Sequence, residues 1–308
     1  MFAQLLREGG LSFDRLQSFC LVAQAGGVTK AAKGEANKQT LYSRQIKELE
    51  EFFGTELMRR KGRGIELTPA GERLNKVARE YFAALLDFKS ECKGLPVEIV
   101  IGAGESIIEW LLMPRLAEVR RKLPNVQMKF LNLTTSEIGR QLADGVMDFG
   151  IVRRDTVAKP LEAVSLGTVG YSLFVPDALW VGGLAGETGV KVLGTVPLAM
   201  LEGEGTFRKE LEAIEQKNRL RLKIEVECVS FPLVARAVES GTLAGILPNI
   251  AAVDLRRMKA KEIKVAALGS LKREMCLAWN PRLLRIRTAL GRASKVLAQE
   301  FTIQGVRG

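Results

Sequence analysis

Apolar positions along the chain fall into two regimes: helical spacing up to about residue 90, then short strand-like runs alternating with helical ones. Ser12 is a suitable N-cap, and Leu16, Phe19, Cys20 and Ala23 follow at helical spacing, which predicts a first helix over residues 12–25. Ala25-Gly26-Gly27 breaks it, and the Ala-rich stretch from Val28 to Lys33 supplies a second, two-turn piece closed by Gly34. From Asn37 to Phe53 a third helix carries Tyr42, Ile46, Leu49 and Phe53 on one stripe and Gln39, Thr40, Ser43, Arg44 and Lys47 on another; Gly54 ends it. Tyr42 shares the apolar stripe and is assigned to the core. Arg59-Arg60-Lys61-Gly62-Arg63-Gly64 then leads into Ile65-Glu66-Leu67, a basic β-hairpin whose glycines supply the turn. Three helices followed by a basic hairpin describe a winged helix-turn-helix.

Thr68-Pro69 starts a further helix, with a capping hydroxyl, proline at the first helical position and Glu72 suited to that end of the helix dipole. Leu74, Val77, Ala78, Tyr81, Phe82, Leu85 and Leu86 form a seam too apolar to face water. Each large side chain contributes about 1.5–3 kcal/mol when buried, so the seam predicts a homodimer helix in which Leu74, Val77, Tyr81, Phe82 and Leu85 meet a second copy. The polar stretch from Lys89 to Pro96 is read as a hinge.

Downstream, strands at Val97–Ile101, Val126–Leu131 and Phe149–Val152 alternate with helices at Ser106–Lys122 and Thr135–Ala143, a βαβαβ pattern. A second set follows: strands at Ser172–Val175, Pro197–Met200, Lys223–Cys228 and Ala244–Leu247, with helices at about Phe207–Lys217 and Leu233–Ser240. Strand Glu274–Trp279 and helix Leu283–Phe301 finish the pattern. The expected class is α/β overall. Residues 1–68 are the winged helix-turn-helix and 69–95 the linker and hinge. Residues 96–308 are a two-lobed α/β domain, with lobe I at about 96–164 and 270–308 and lobe II at about 165–269. A cleft between the lobes, at the carboxyl ends of the strands, is where such folds bind ligands.

Composition narrows the chemistry. The 308 residues are 47% hydrophobic and 26% charged, as expected of a globular protein. The longest apolar runs fall short of the ~20 residues that cross a bilayer, and residues 1–8 show no basic n-region followed by an apolar stretch, so a cytoplasmic protein without a membrane partner is expected. Histidine is absent, which removes Ser-His-Asp triads and most transition-metal sites. Cys20, Cys92, Cys228 and Cys276 are isolated and read as reduced, buried small hydrophobes. No cofactor is implied: there is no G-x-S-x-G, no P-loop and no metal-spacing cluster, and Gly102-x-Gly104 lacks the third glycine of a dinucleotide fingerprint. The net charge of +11 suits a polyanionic partner. It is not concentrated at one end, however: residues 1–90 hold 15 Lys and Arg against 11 Asp and Glu, and residues 255–308 hold 13 against 3.

The order of particular residues is more specific. Ala31-Ala32, Gln39, Ser43-Arg44-Gln45-Ile46, Leu49-Glu50, Gly54-Thr55-Glu56-Leu57 and Gly64-Ile65-Glu66-Leu67-Thr68-Pro69-Ala70-Gly71 resemble the DNA-binding domain of LysR-type transcriptional regulators. Ile99–Gly102, Leu112-Met113-Pro114, Gly145–Ile151 and Gly245-Ile246-Leu247-Pro248 are similar to that family's effector-binding domain, so the resemblance covers nearly the whole chain. It implies a regulator, not an enzyme. The implied effector domain is like a periplasmic binding protein, the chain dimerises through the linker helix, often as a tetramer, and a small molecule modulates its binding to double-stranded DNA. The expected DNA contacts are Thr29, Lys38, Gln39, Thr40, Ser43, Arg44 and Lys47, with Arg60 and Arg63 from the wing and Lys61 beside them. Gln can read adenine and Arg guanine in the major groove, while Arg44 could equally hold a phosphate. Where the family commonly starts its recognition helix with Ser-Gln-Pro, this chain has Lys38-Gln39-Thr40, with Glu35 and Asn37 before it; Asn37 is the expected N-cap.

In the cleft the resemblance points to Glu105, Ser106, Thr134, Thr135, Thr206, Ser230 and Phe231 as effector contacts. Helix starts with adjacent hydroxyls favour an anion, but Glu105, Glu202 and Glu204 oppose one, so the effector's charge stays open. Peroxide-sensing members of the family use a cysteine pair in the second lobe, where this chain has Cys228 alone.

Overall fold

The computed structural model describes residues 9–62, 64–180 and 189–303. They form two compact units. One runs to Leu95 and takes in Asp144–Val146 and Arg282–Arg287; the other holds the remainder.

In the first unit, α1 (Phe13–Ala25) is capped by the Ser12 hydroxyl, which accepts the Arg15 N–H at 3.3 Å, and Gly26 ends it in the left-handed region. After α2 (Val28–Ala31), α3 spans Ala36–Phe53. Its start differs from expectation: Glu35, not Asn37, is the N-cap, and no side chain caps the helix. The Glu35 carbonyl already accepts the Gln39 N–H at 3.1 Å, which draws Asn37 into the first turn, while the Glu35 carboxylate pairs with Lys38 at 2.8 Å. Phe19, Val22, Ile46 and Leu49 form the core with Leu57, and Tyr42 packs at its edge. Phe53 is 39% exposed, and its neighbour Phe52 is half-buried.

The Glu50 carboxylate accepts the N–H groups of Leu57 (2.8 Å) and Met58 (3.2 Å), steering the chain into the antiparallel hairpin of β1 (Met58–Lys61) and β2 (Gly64–Leu67). The long helix α4 (Pro69–Cys92) begins where the Thr68 hydroxyl accepts the Gly71 N–H at 3.1 Å, and it runs through Lys89–Cys92, which sequence placed in the hinge. Leu74, Ala78 and Phe82 face the three-helix core, whereas Val77, Tyr81, Leu85 and Leu86 are exposed. Arg287 donates from Nε (2.6 Å) and Nη2 (3.0 Å) to the Asp87 carboxylate of α4, and both residues are buried.

The second unit holds two five-stranded sheets. In the first, β3 (Val97–Ala103), β4 (Val126–Asn132), β5 (Phe149–Arg153), β6 (Glu162–Val169) and β12 (Arg273–Trp279) are ordered β4-β3-β5-β12-β6. The second sheet contains β7 (Tyr171–Pro176), β8 (Pro197–Leu201), β9 (Lys223–Cys228), β10 (Ala244–Pro248) and β11 (Ala260–Ile263), ordered β11-β7-β10-β8-β9. β6 and β11 escaped the sequence reading because both are edge strands, β6 with half its positions exposed and β11 only four residues long. Since β6 belongs to the first sheet, the chain crosses between lobes at Gly170, later than the 164/165 boundary expected.

The helix expected over 106–122 is broken into an α-turn (Glu105–Ile107), a π-turn (Ile108–Leu112), a 3-10 turn (Met113–Arg115) and α5 (Leu116–Lys122). Pro114 has no N–H to extend the ladder, and the Arg115 side chain hydrogen bonds the Leu111 carbonyl at 3.0 Å. α6 covers Thr135–Ala143 and α7 covers Thr206–Asn218. α8 (Phe231–Glu239) starts two residues earlier than Leu233 because Ser230 caps it and Pro232 fits its first turn. After α9 (Ala252–Arg257), the stretch from 281 to 300 forms two helices, α10 (Pro281–Ile286) and α11 (Thr288–Glu300), not one helix from 283 to 301. The break falls at Arg287, whose side chain is committed to Asp87.

Gly71 is sterically required, since a Cβ there would lie 2.0 Å from the Leu57 carbonyl oxygen, a backbone atom that cannot swing away. Gly71→Ala is expected to destabilise the first unit by about 2–3 kcal/mol or more, read as an early thermal or urea transition; an unchanged transition would contradict this close approach.

Candidate DNA-contacting face and ligand cleft

The turn between α1 and α2, the start of α3 and the wing enclose a groove of about 910 Å³. Thr29, Gln39, Thr40, Ser43 and Arg60 all line it, so five residues selected from sequence converge on one face. Lys30 joins them and was missed; its signal was a cation one step beyond Thr29 in the helix that follows Gly26-Gly27. The wing root is held here by the Ile65 N–H, which donates to the Gly26 carbonyl at 3.4 Å.

The other cations of α3 lie outside that groove and carry acidic partners: Lys38 with Glu35 (2.8 Å), Arg44 with Glu48 (3.4 Å) and Lys47 with Glu51 (3.7 Å). In the wing, strand alternation puts Arg59 and Lys61 on one face and Arg60 on the other. Glu66 takes the first two, at 2.7 and 2.6 Å, and these hydrogen bonds, Lys61's foremost, hold its carboxyl below the usual range. Arg60 makes no ion pair among the described residues and faces the groove. Arg63 lies outside the described residues.

On α4 the five residues assigned to dimerisation divide. Leu74 and Phe82 are taken up by the unit's own core, Phe82 with its ring centroid 6.0 Å from that of Phe13. Val77, Tyr81 (57% exposed) and Leu85 remain outside, joined by Leu86.

In the two-sheet unit, Gly170 and Asn249 exchange hydrogen bonds at the crossing: Gly170 N–H to Asn249 Oδ1 at 3.2 Å and Asn249 N–H to the Gly170 carbonyl at 2.9 Å. Tyr171 follows immediately and meets Phe207 and Phe231 at centroid distances of 4.9 and 5.8 Å; Phe207 and Phe231 are 5.2 Å apart, edge to face. Phe231 was expected here, but Tyr171 and Phe207 were not, because sequence separation hides a cluster built from three elements. Burial pushes the Tyr171 hydroxyl up, against the fields of Arg273 and Arg153.

The hydroxyl residues are partly occupied. Thr134 and Glu137 form a reciprocal cap: the carboxylate accepts the Thr134 N–H (2.9 Å) and hydroxyl (2.7 Å), while Thr134 Oγ1 accepts the Glu137 N–H (3.4 Å). Ser230 accepts the Leu233 N–H at 3.4 Å. Glu105, Thr206 and Thr134 are exposed, whereas Ser106, Thr135 and Phe231 are half-buried. Burial and the Glu202 carboxylate both push the Cys228 thiol up, which disfavours a reactive thiolate. Among the described residues there is no group of three or more metal-ligating side chains, and no helix long and apolar enough to cross a membrane.

Residues 13–72 match the model of the bacterial regulatory helix-turn-helix proteins of the lysR family, and residues 94–290 match that of the LysR substrate binding domain. The chain therefore belongs to the LysR family. It is a DNA-binding transcription regulator with a substrate-binding domain, not an enzyme. It is 26% identical over 278 residues to a probable nitrogen assimilation transcriptional activator of Synechococcus elongatus, covering 87% of this chain and 88% of that protein. Its fold is shared with a full-length OxyR variant of Pseudomonas aeruginosa (TM-score 0.66, 20% identity, 96% of each chain). It is shared too with full-length LysG of Corynebacterium glutamicum with bound effector Arg (TM-score 0.63, 16% identity, 94% of this chain and 98% of that one).

Because Glu66 neutralises two wing cations, Glu66→Gln is expected to raise affinity for nonspecific duplex DNA and to steepen its salt dependence by about one phosphate contact. Fluorescence anisotropy across a salt series measures this, and an unchanged slope would mean that Arg59 and Lys61 do not meet DNA.

Proposed function

We propose that this regulator reads an operator with the groove-lining face of its helix-turn-helix and responds, in the cytoplasm, to a small molecule held between the two lobes of its substrate-binding domain. The observation that carries the DNA half is the convergence of Thr29, Gln39, Thr40, Ser43 and Arg60 on one groove. Hydroxyl and amide groups there suit base edges, and Arg60 supplies a positive charge not spent on a neighbour. Lys38, Arg44, Lys47 and the wing's Arg63 complete the set as phosphate contacts, the first three exchanging weak surface ion pairs for DNA phosphates at little cost.

The effector would sit against Glu105, Ser106, Thr134, Thr135, Thr206, Ser230 and Phe231. Supporting this is the Tyr171, Phe207 and Phe231 cluster beside the lobe crossing, an apolar wall next to polar helix starts. Two copies would associate through the exposed α4 face of Val77, Tyr81, Leu85 and Leu86, with dimers pairing into tetramers. Leu74 and Phe82 would support that face from beneath. Closure of the lobes around the effector would then change packing between effector domains and the spacing of paired helix-turn-helix units.

Footprinting on the DNA flanking the protein's own gene tests the central reading. Gln39→Ala is expected to cost about 1–3 kcal/mol and relax preference at a single base pair. Arg60→Ala should weaken all sequences alike and reduce the salt slope by about 1. Sequence-independent binding by the unaltered protein would overturn the proposal. For association, Tyr81→Glu is expected to yield monomers by light scattering with the fold retained in circular dichroism; a persisting dimer would place the interface elsewhere.

A further inference from the structure

Away from the cleft residues, the two lobes enclose a second groove of about 390 Å³, within the size range of small-molecule sites. One wall is the broken helix of the first lobe, with Trp110, Pro114 and Arg115; the other is the segment after β10, with Ile250, Val253 and Arg256. None of the seven expected effector contacts lines it. Trp110 spans the seam: it belongs to the first lobe by chain position but is buried in the second lobe's core with Phe174, Ala199 and Leu247.

The charge in this groove is uneven. Asp254 is held by Arg257 at 3.5 Å. Arg115 and Arg256 have no ion pair among the described residues; Arg115 donates only to the Leu111 carbonyl, and Arg256 is exposed. Glu300, the acid whose field reaches Arg115, is committed to Lys122 at 2.5 Å. Partial burial lowers the Arg115 pKa and outweighs the opposing field of Glu300. A desolvated cation of this kind is stabilised by an anion.

We propose that the seam groove binds an aromatic monocarboxylate, its carboxylate meeting Arg115 and Arg256 and its ring lying against Trp110, Ile250 and Val253. A single negative charge fits best, because Arg257 is already paired with Asp254, whose carboxylate opposes a second one, and the rest of the lining apart from Asn249 is apolar. A ligand here touches both lobes and so favours one lobe arrangement independently of the cleft.

The test uses the full chain and 4-fluorobenzoate, followed by 19F NMR titration, with 4-fluorobenzyl alcohol as the neutral analogue. Saturable binding is expected, weaker for the alcohol by about tenfold and weaker in Arg256→Glu by at least about fivefold, the sizes expected for losing a charge-assisted contact. Val253→Trp, at a position 59% exposed and thus tolerant of bulk, should fill the groove and abolish binding. Thr135→Trp, which crowds the cleft instead, should leave it unchanged. Circular dichroism melts check that each variant is folded. No saturable binding up to about 20 mM overturns the proposal, since Kd values above the millimolar range carry little binding energy. So does binding undiminished in Arg256→Glu, binding that persists in Val253→Trp, or binding that is lost in Thr135→Trp.

Discussion

The two hydrogen bonds exchanged between Gly170 and Asn249 fix the point where the chain leaves one sheet and enters the other, and the substrate-binding domain is arranged around that crossing. Before it, β6 completes the first sheet; after it, Tyr171 opens the second and carries the aromatic cluster. Asn249 also ends the apolar run of β10 and turns the chain toward α9, so one side chain ties the crossing strand to the wall of the seam groove. Trp110 performs a related task through packing, since its indole, carried by one lobe, fills a place in the core of the other. Any change in the angle between lobes must disturb this packing, which close-packed cores resist.

In the DNA-binding unit the governing constraint is how the positive charges are shared out. Glu35, Glu48, Glu51 and Glu66 occupy five cations of the recognition helix and wing, and Arg60 is left to the groove with Lys30 beside it. Surface ion pairs of this kind are worth little, about 0–1 kcal/mol, so they yield readily to phosphate. They leave the helix with little unpaired charge along its outer side, and in the proposed reading recognition falls to Gln39, Thr40 and Ser43. Glu50 has a different role. Its carboxylate is spent on the backbone of Leu57 and Met58 and positions the wing.

Helix α4 splits its apolar seam in two, because at 3.6 residues per turn the seam positions from Leu74 to Leu86 fan out over about half the helix circumference, wider than one packing face. Leu74, Ala78 and Phe82 close the three-helix core, leaving Val77, Tyr81, Leu85 and Leu86 as a narrower outer strip. Near its end, the buried pair of Asp87 and Arg287 has two parallel hydrogen bonds, the geometry that best offsets the desolvation of two charges.

Local rules made most of the architecture legible in the chain. Ser12 and Thr68 cap their helices as their side chains dictate, Gly26 and Gly54 end helices in the left-handed region, and the basic hairpin follows from glycine placement. The order of Ala31-Ala32 through Gly71 was enough to suggest the family, because those residues answer local steric demands such as the close approach of Gly71 to Leu57. What the sequence could not determine depended on partners distant along the chain. The edge strands β6 and β11 take their pairing from β12 and β7, and Arg287 broke the last helix to reach Asp87. The aromatic cluster, the Trp110 wedge and the choice of which cations stay unpaired arise in the same way. Spacing along a chain reports which face a residue lies on, but only the folded structure decides what stands opposite it.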